Sequence, residues 1–230
     1  MRPVDRRVVP SDPNQRVAVS SRPILIARHG ETQSNLTNLY AGRSAEPLTS
    51  AGRAQVTHLA SGLGGTAIGQ IWTSSIGRAL ESARLLGERL RIPVRIDSRL
   101  DEMQLGPWEG RTEEEVARDF PDVYALWLSQ PDEVRVEGRE TLGQVAARVM
   151  AVVADAEAAA MRKSVLLMTH VAPVRVAVLS VLRYPLAAYK RLVVPNASCV
   201  RLDRVAEQAT WTSDGTSLRL DIERAGSVAA

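Results

Sequence analysis

Short, wholly apolar segments alternate with segments of helical periodicity along most of the chain. Residues 24–27 and 164–168 are typical of strands buried on both faces of a sheet. This alternation predicts a three-layer α/β fold, in which helices cover both faces of a largely parallel sheet. The other predicted strands are 71–72, 94–96, 198–204, 208–212 and 218–222, and the predicted helices are 47–59, 77–90, 173–182 and two that start at the capping boxes of Thr112 and Thr141. The last two strands flank Asp214-Gly215 and predict a C-terminal β-hairpin.

Length and charge predict one folded unit behind a basic tail. A chain of 230 residues can bury one sizeable core, and no linker rich in Pro, Gly or Ser divides its middle. We therefore expect a single domain over residues 23–230. Residues 1–22 lack periodicity and hold five arginines against two aspartates, which accounts for the formal net charge of +3. They are interpreted as a disordered or loosely attached tail on a nearly neutral body.

Composition argues against several classes of partner. A neutral body with 4% aromatic residues lacks the basic, aromatic-bearing face that is typical of nucleic-acid binding. The apolar runs are too short to span a bilayer, and the N-terminal residues lack the apolar core of a secretory signal. The single cysteine, Cys199, gives no sign of an oxidising compartment. We expect a cytoplasmic protein with neither a nucleic-acid nor a membrane partner.

The end of the first predicted strand carries the clearest chemical signal. There the sequence reads Arg28-His29-Gly30-Glu31-Thr32, with Asn35 three residues later. The strand delivers an imidazole to the sheet edge beside a permanently charged guanidinium, and Gly30 permits close approach of a ligand. Backbone N–H groups at the start of a helix favour an anion. His29 is therefore a candidate nucleophile, and His170 follows a later buried strand in the same way.

Five motifs in order resemble the histidine phosphatase superfamily, also called the phosphoglycerate-mutase-like family. The resemblance extends over roughly residues 24–204 and is closest to the phosphatase branch. The matching segments are Arg28-His29-Gly30-Glu31-Thr32-x-x-Asn35, Gly42 with Pro47-Leu48-Thr49-x-x-Gly52, Ser74-Ser75-x-x-Arg78-Ala79, Arg99-Leu100-Asp101-Glu102 with Gly106-x-Trp108-Glu109-Gly110, and Thr169-His170. Val171 departs from the pattern, because many members have Gly after the second histidine.

The resemblance implies a double displacement through a phosphohistidine, without a metal or other cofactor. His29 would attack phosphorus, while Arg28, Arg78 and His170 would hold the non-bridging oxygens. Glu102 would protonate the leaving alkoxide and then deprotonate the attacking water. Only the resemblance selects Glu102 over the neighbouring carboxylates of Asp101 and Glu109. It also places three residues among those that bind phosphate or substrate, namely Thr32, Asn35 and Gly42.

Two other functions fit the same motifs. A phosphoglycerate-type mutase would return the phosphoryl group to substrate instead of water, although residues 106–110 resemble the phosphatase branch and longer mutase insertions are absent. A non-catalytic binder of phosphorylated ligands on the same fold would be expected to lose His29, an arginine or the acid, and this chain keeps all of them. The expected partner is a small phosphorylated metabolite.

Substrate identity is left open by the sequence. Residues 112–138 cover the site in this family, and their amphipathic pattern fits core packing and a substrate lid equally. Arg135 and Arg139 either contact a second anionic group or are solvated. The C-terminal hairpin offers an edge at which a homodimer could form.

Overall fold

The computed structural model describes residues 23–160, 162–213 and 216–219. The predicted basic tail, the 214–215 turn and residues 220–222 of the last predicted strand lie outside these described residues. The strands are β1 (Ile24–Arg28), β2 (Ile68–Thr73), β3 (Val94–Ile96), β4 (Ser164–Thr169), β5 (Cys199–Asp203), β6 (Gln208–Ser213) and β7 (Thr216–Arg219). The α-helices are α1 (Gln33–Leu36), α2 (Ser50–Leu63), α3 (Gly77–Leu90), α4 (Glu113–Asp119), α5 (Pro121–Ser129), α6 (Leu142–Ala159) and α7 (Val171–Val181). Short 3-10 helices cover Ser98–Leu100, Gly106–Trp108, Pro131–Glu133 and Leu186–Arg191.

The described strands form one mixed sheet in the order β3-β2-β4-β1-β5-β6-β7. The four strands from β3 to β1 are parallel, whereas β5, β6 and β7 each run antiparallel to their neighbours. The mostly parallel sheet and its antiparallel C-terminal end confirm the predicted α/β class and the C-terminal β-hairpin. Because β1 lies beside β4, their carboxyl ends open at the same sheet edge.

Each strand of the sheet centre sends alternate side chains to two separate cores. In β1, Ile24 and Ile26 join the core beneath α6 and α7, and Leu25 and Ala27 join the core beneath α2 and α3. All four side chains are buried, as expected for a strand covered on both faces. This two-sided burial confirms the predicted three layers.

No helix in the described part of the chain is long and apolar enough to cross a membrane.

Element boundaries differ from the sequence predictions where polar residues interrupt the apolar pattern. Helix α3 and strand β3 have the predicted limits. Strand β2 starts at Ile68, three residues earlier than predicted, because the polar Gln70 interrupts the apolar run on which the prediction relied. Helix α7 starts at Val171 instead of Pro173, because proline is tolerated in the first turn of a helix. Helices α4 and α6 do begin at the capping boxes of Thr112 and Thr141.

Candidate active site

The two motif histidines meet at the carboxyl edge of the sheet. Arg28 pairs with Thr169 across the parallel β1–β4 ladder, so the residues that follow each strand are neighbours. The rings of His29 and His170 are 5.1 Å apart between centroids, at an interplanar angle of 61°. Arg78 reaches them from the first turn of α3, and its Nε lies 3.2 Å from Nε2 of His29. Three separate sequence motifs therefore converge at one point.

A cavity of about 110 Å³ opens at this point. Six of the predicted site residues line it, while His170 packs against His29 and Thr32 is fully buried without reaching the cavity wall. The lining residues are Arg28, His29, Asn35, Leu39, Tyr40, Ala41, Gly42, Arg78, Glu102, Leu105 and Val171. A larger and mostly apolar cavity of about 380 Å³, between α2 and the 193–198 loop, contains none of the motif residues.

His29 is held as a neutral imidazole in the wall of the cavity. The ring Nδ1–H donates to the carbonyl of Gly30 at 2.6 Å, and the lone pair on Nε2 accepts from Nε of Arg78 at 3.2 Å. Burial, together with the charges of Arg78 and Arg28, lowers the pKa of His29 well below its usual value. A neutral imidazole with a lone pair on Nε2 is the form that can act as a nucleophile.

Close packing behind the histidine explains the glycine of the motif. A Cβ on Gly30 would collide with the backbone of Gly52 in α2. The Gly30 N–H donates to the hydroxyl of Ser82 in α3 at 3.1 Å. The strand end is thereby fixed between the two helices of one face, and the His29 ring has a defined position.

The two arginines bring positive charge to the cavity and are anchored by backbone carbonyls. Arg28 donates to the carbonyl of Val194 at 2.6 Å, and burial lowers its pKa to about 10. Arg78 donates to the carbonyls of Gly42 and Ser44 at 2.7 and 2.9 Å. Gly42 has a φ of +50°, a conformation that favours glycine, and it turns its carbonyl toward Arg78. Gly42 thus positions an arginine as well as lining the cavity.

Glu102 is the carboxyl group that reaches the cavity. It is only 7% exposed, and burial raises its pKa against the opposing charges of Arg78 and Arg28. Its Oε1 accepts from the backbone N–H groups of Met103 at 2.8 Å and of Ala172 at 3.3 Å. A buried carboxyl with a raised pKa keeps its proton to higher pH than an exposed one, as a proton donor requires.

The two neighbouring carboxylates have other contacts. Asp101 accepts from the hydroxyl of Ser74 at 2.8 Å and from the N–H of Ser75 at 2.8 Å. Glu109 accepts from the N–H of Leu105 at 3.2 Å. Neither carboxylate lines the cavity. The geometry therefore favours Glu102 among the three.

The contacts of His170 define its tautomer. Its Nε2 lies 2.8 Å from the Ser74 hydroxyl, and that hydroxyl donates its own proton to Asp101. Ser74 must then accept the Nε2–H of His170, so Nδ1 is the second, unpartnered nitrogen of a fully buried ring. Burial is also the largest cause of the strongly lowered pKa of His170. Its Nδ1 is the atom left to contact a ligand.

Asn35 is oriented by two donors, one of which the sequence analysis missed. Its Oδ1 accepts from the N–H of Thr32 at 3.1 Å and from Nδ2 of Asn196 at 2.8 Å. With the oxygen engaged, the Asn35 amide N–H₂ remains for a ligand. Thr32 acts through its backbone, and Asn196 lies in a loop without any local sequence signal.

Helix α6 holds the loop that carries Glu102. Arg148 donates to the carbonyls of Arg99, Asp101 and Glu102 at 2.8, 2.6 and 3.2 Å, and it pairs with Glu140 at 2.9 Å. This bracket was not among the contacts that the sequence predicted. An arginine between Val145 and Val149 of the apolar α6 stripe was the available signal, because a charge there must lie at the edge of the core.

Among the described residues, no group of three or more His, Cys, Asp or Glu side chains could hold a metal ion.

Comparison with known proteins agrees with this geometry. Two buried histidines, two arginines and a buried carboxyl around a small cavity define a site for an anionic group. Residues 24–215 match the histidine phosphatase superfamily (branch 1). The chain belongs to that superfamily and is an enzyme of the phosphatase type.

Several relatives carry more specific names. A probable phosphoglycerate mutase of Enterobacter sp. (strain 638) is 27% identical over 84% of this chain and 88% of its own length. The adenosylcobalamin/alpha-ribazole phosphatase of Escherichia coli (strain K12) is 35% identical over 45% of this chain and 51% of its own. A solved structure of mycobacterial glucosyl-3-phosphoglycerate phosphatase in complex with VO3 has a TM-score of 0.74 at 28% identity. It covers 87% of this chain and 98% of its own.

Proposed function

We propose that the chain is a metal-independent phosphomonoester hydrolase that acts on a small phosphorylated metabolite through a phosphohistidine at His29. The observation that carries the proposal is the state of His29. This imidazole is neutral, its Nδ1–H donates to Gly30, and its Nε2 accepts a hydrogen bond from Nε of Arg78 that gives way when Nε2 attacks phosphorus. A nucleophile beside two fixed guanidinium groups suits phosphoryl transfer, which depends on positioning and charge neutralisation.

In the first step, Nε2 of His29 forms a bond to phosphorus as the ester P–O bond breaks. Glu102 gives its proton to the departing alkoxide and becomes a carboxylate. The non-bridging oxygens accept hydrogen bonds from Arg28 and Arg78, with Asn35 as a further donor. His170 adds a donor once its Nδ1 takes up a proton, which the negative charge of the bound phosphoryl group favours. The raised pKa of Glu102 supports this role, because it keeps the acid protonated at higher pH.

In the second step, the Glu102 carboxylate removes a proton from water, and the water oxygen attacks phosphorus. The P–N bond breaks, inorganic phosphate leaves, and both His29 and Glu102 return to their starting protonation states. The positive charge for both steps comes from two arginines fixed by backbone carbonyls, and so no metal is invoked.

The size of the site and the names of the relatives support a small substrate. A cavity of about 110 Å³ holds a phosphoryl group and little more before it opens to solvent. Relatives named for their reactions include a phosphoserine phosphatase and an alpha-ribazole phosphatase. The alternative is a phosphomutase, which the named mutase relative favours. Its phosphohistidine would pass the group to a substrate hydroxyl.

Hydrolysis of p-nitrophenyl phosphate in the presence of EDTA tests the proposal. We expect activity in the wild type, loss of at least 10³-fold in His29→Ala, and an acid-labile, base-stable phosphoprotein after rapid quench. His58→Ala is the matched control, because that exposed histidine lies outside the catalytic cavity. Loss of activity in EDTA, or activity retained by His29→Ala, contradicts the mechanism. Interconversion of 2- and 3-phosphoglycerate without release of phosphate identifies a mutase.

A further inference from the structure

The guanidinium of Arg139 packs against two tryptophans whose ring centres are 5.9 Å apart, and these three residues are called the Arg139 clamp. Its guanidinium carbon lies 4.6 Å from the ring centre of Trp108 and 4.4 Å from that of Trp127. Arg139 is only 6% exposed, which excludes the solvated one of the two alternatives left open for it. Arg135, the other arginine considered with it, is exposed and donates to the carbonyls of Asp132 and Val134. The structure therefore separates two arginines that the sequence could not distinguish.

The clamp leaves the hydrogen-bonding edge of Arg139 unused. Its Nε and both terminal nitrogens are buried and have no hydrogen-bond partner. The planar guanidinium keeps five N–H donors in its plane, and all three of its nitrogens are buried. Burial also lowers the pKa of Arg139 to about 10. A carboxylate or phosphoryl group binds a guanidinium edge-on, through these N–H donors.

This clamp adjoins the catalytic cavity. Arg139 forms an isolated antiparallel bridge with Leu105, which lines the cavity. Tyr40 lines the same wall, and its ring centre is 5.7 Å from that of Trp108. Tyr40 and Leu105 therefore separate the Arg139 clamp from the phosphoryl site. Tyr40 is half-buried.

Positive charge accumulates around the clamp without matching carboxylates. Lys190 Nζ lies 5.2 Å from the Trp127 ring centre and 3.8 Å from Glu113, and the Arg175 guanidinium stacks on Tyr189 at 4.8 Å. Together with Arg139, three cations lie in this region, and the carboxylates whose charges reach it are Glu113 and Glu102. An anion that enters here meets a favourable field in a region largely shielded from water.

We propose that Arg139 binds a second anionic group of the substrate, a carboxylate or a second phosphoryl, while the scissile phosphoryl group occupies the cavity at His29. The proposal rests on the proposed function and narrows its substrate class to phosphomonoesters with two anionic groups. Specificity then arises at Arg139, and the chemical step remains with the histidines, Arg28, Arg78 and Glu102.

A matched pair of substrates tests this subsite. 3-Phosphoglycerate and glycerol 3-phosphate differ only in a carboxylate against a hydroxymethyl group. We expect the wild type to hydrolyse the first with a kcat/KM about tenfold or more above the second, the range given by a charged hydrogen-bonded pair. Arg139→Met keeps an apolar side chain between the tryptophans. It should abolish this preference and leave kcat/KM for p-nitrophenyl phosphate within about twofold.

Two further variants complete the test. Arg139→Lys keeps the charge and loses the planar fork, so we expect an intermediate preference. Arg135→Met is the matched control and should retain the full preference. The proposal is overturned if the wild type hydrolyses p-nitrophenyl phosphate without preferring 3-phosphoglycerate. It is also overturned if Arg139→Met lowers activity equally on all three substrates, which is the result for a structural cation. A wild type inactive on p-nitrophenyl phosphate instead counts against the hydrolase itself.

Discussion

At the scale of single residues, we expect the effect of replacing Glu102 to depend on the leaving group of the substrate. An alkoxide needs a proton as the P–O bond breaks, whereas p-nitrophenolate leaves without one. We expect Glu102→Gln to lower kcat/KM for an alkyl phosphate by about 10²–10⁴-fold and for p-nitrophenyl phosphate by much less, because an amide cannot donate the proton. Steady-state kinetics on both substrates measures the difference.

The control for this variant is Glu137→Gln, which makes the same chemical change at an exposed position. Equal losses on the two substrates would show that Glu102 supports the fold of its loop and does not transfer the proton. Asp101 is unsuitable as a control, because its carboxylate fixes Ser74 and, through Ser74, the tautomer of His170.

At the scale of elements, helix α6 controls the loop of the acid through Arg148. The positive charge of Arg148 is one of the influences that lower the pKa of Glu102 against the larger effect of burial. Removing that charge should raise this pKa further, so the acid stays protonated to higher pH. We expect Arg148→Met to move the basic limb of the pH profile of kcat/KM to higher pH. We also expect it to lower kcat by about 10–100-fold, because the loop that carries Glu102 is no longer held in position. A pH–rate series from pH 5 to 9 measures both effects.

Arg148→Lys separates the two effects of this residue. It keeps the charge and loses the fork that spans three carbonyls, so it should restore the position of the basic limb without restoring kcat. If Arg148→Met lowers the melting temperature but leaves the limb in place, the residue is structural only.

The sequence predicted the elements that show a regular apolar period and missed the contacts that cross between them. The predicted limits of α3 held because its apolar face is unbroken and a left-handed Arg91 follows its last residue. The Arg148 bracket and the Asn196–Asn35 bond join residues 46 and 161 positions apart, and no local pattern encodes such separations. The motifs nevertheless identified six of the eleven residues that line the cavity, because ligand sites in such sheets lie beyond the carboxyl ends of the parallel strands.

At the scale of the whole molecule, burying His29 and His170 should make the folded state sensitive to acid. Both have a folded pKa well below 6.5, the value expected in the unfolded chain. Below pH 6.5 the unfolded chain therefore binds protons that the folded one excludes. The stability contributed by the neutral rings is present above pH 6.5 and lost as pH falls. From pH 7.5 to 5.5 the loss approaches about 1.4 kcal/mol per histidine.

Urea unfolding at pH 7.5, 6.5 and 5.5 measures this dependence of the free energy of unfolding. Glu102 acts in the opposite direction. Because its pKa is raised in the folded protein, its contribution to the free energy of unfolding increases as pH falls through that folded pKa. The double variant His29→Asn, His170→Asn should therefore flatten the slope by up to about 3 kcal/mol across this range, whatever its absolute stability. A variant with the same slope as the wild type would show that neither ring has a pKa lowered from its unfolded value. The fold would then not be what keeps His29 neutral, and the argument for it as a buried, neutral nucleophile would fail.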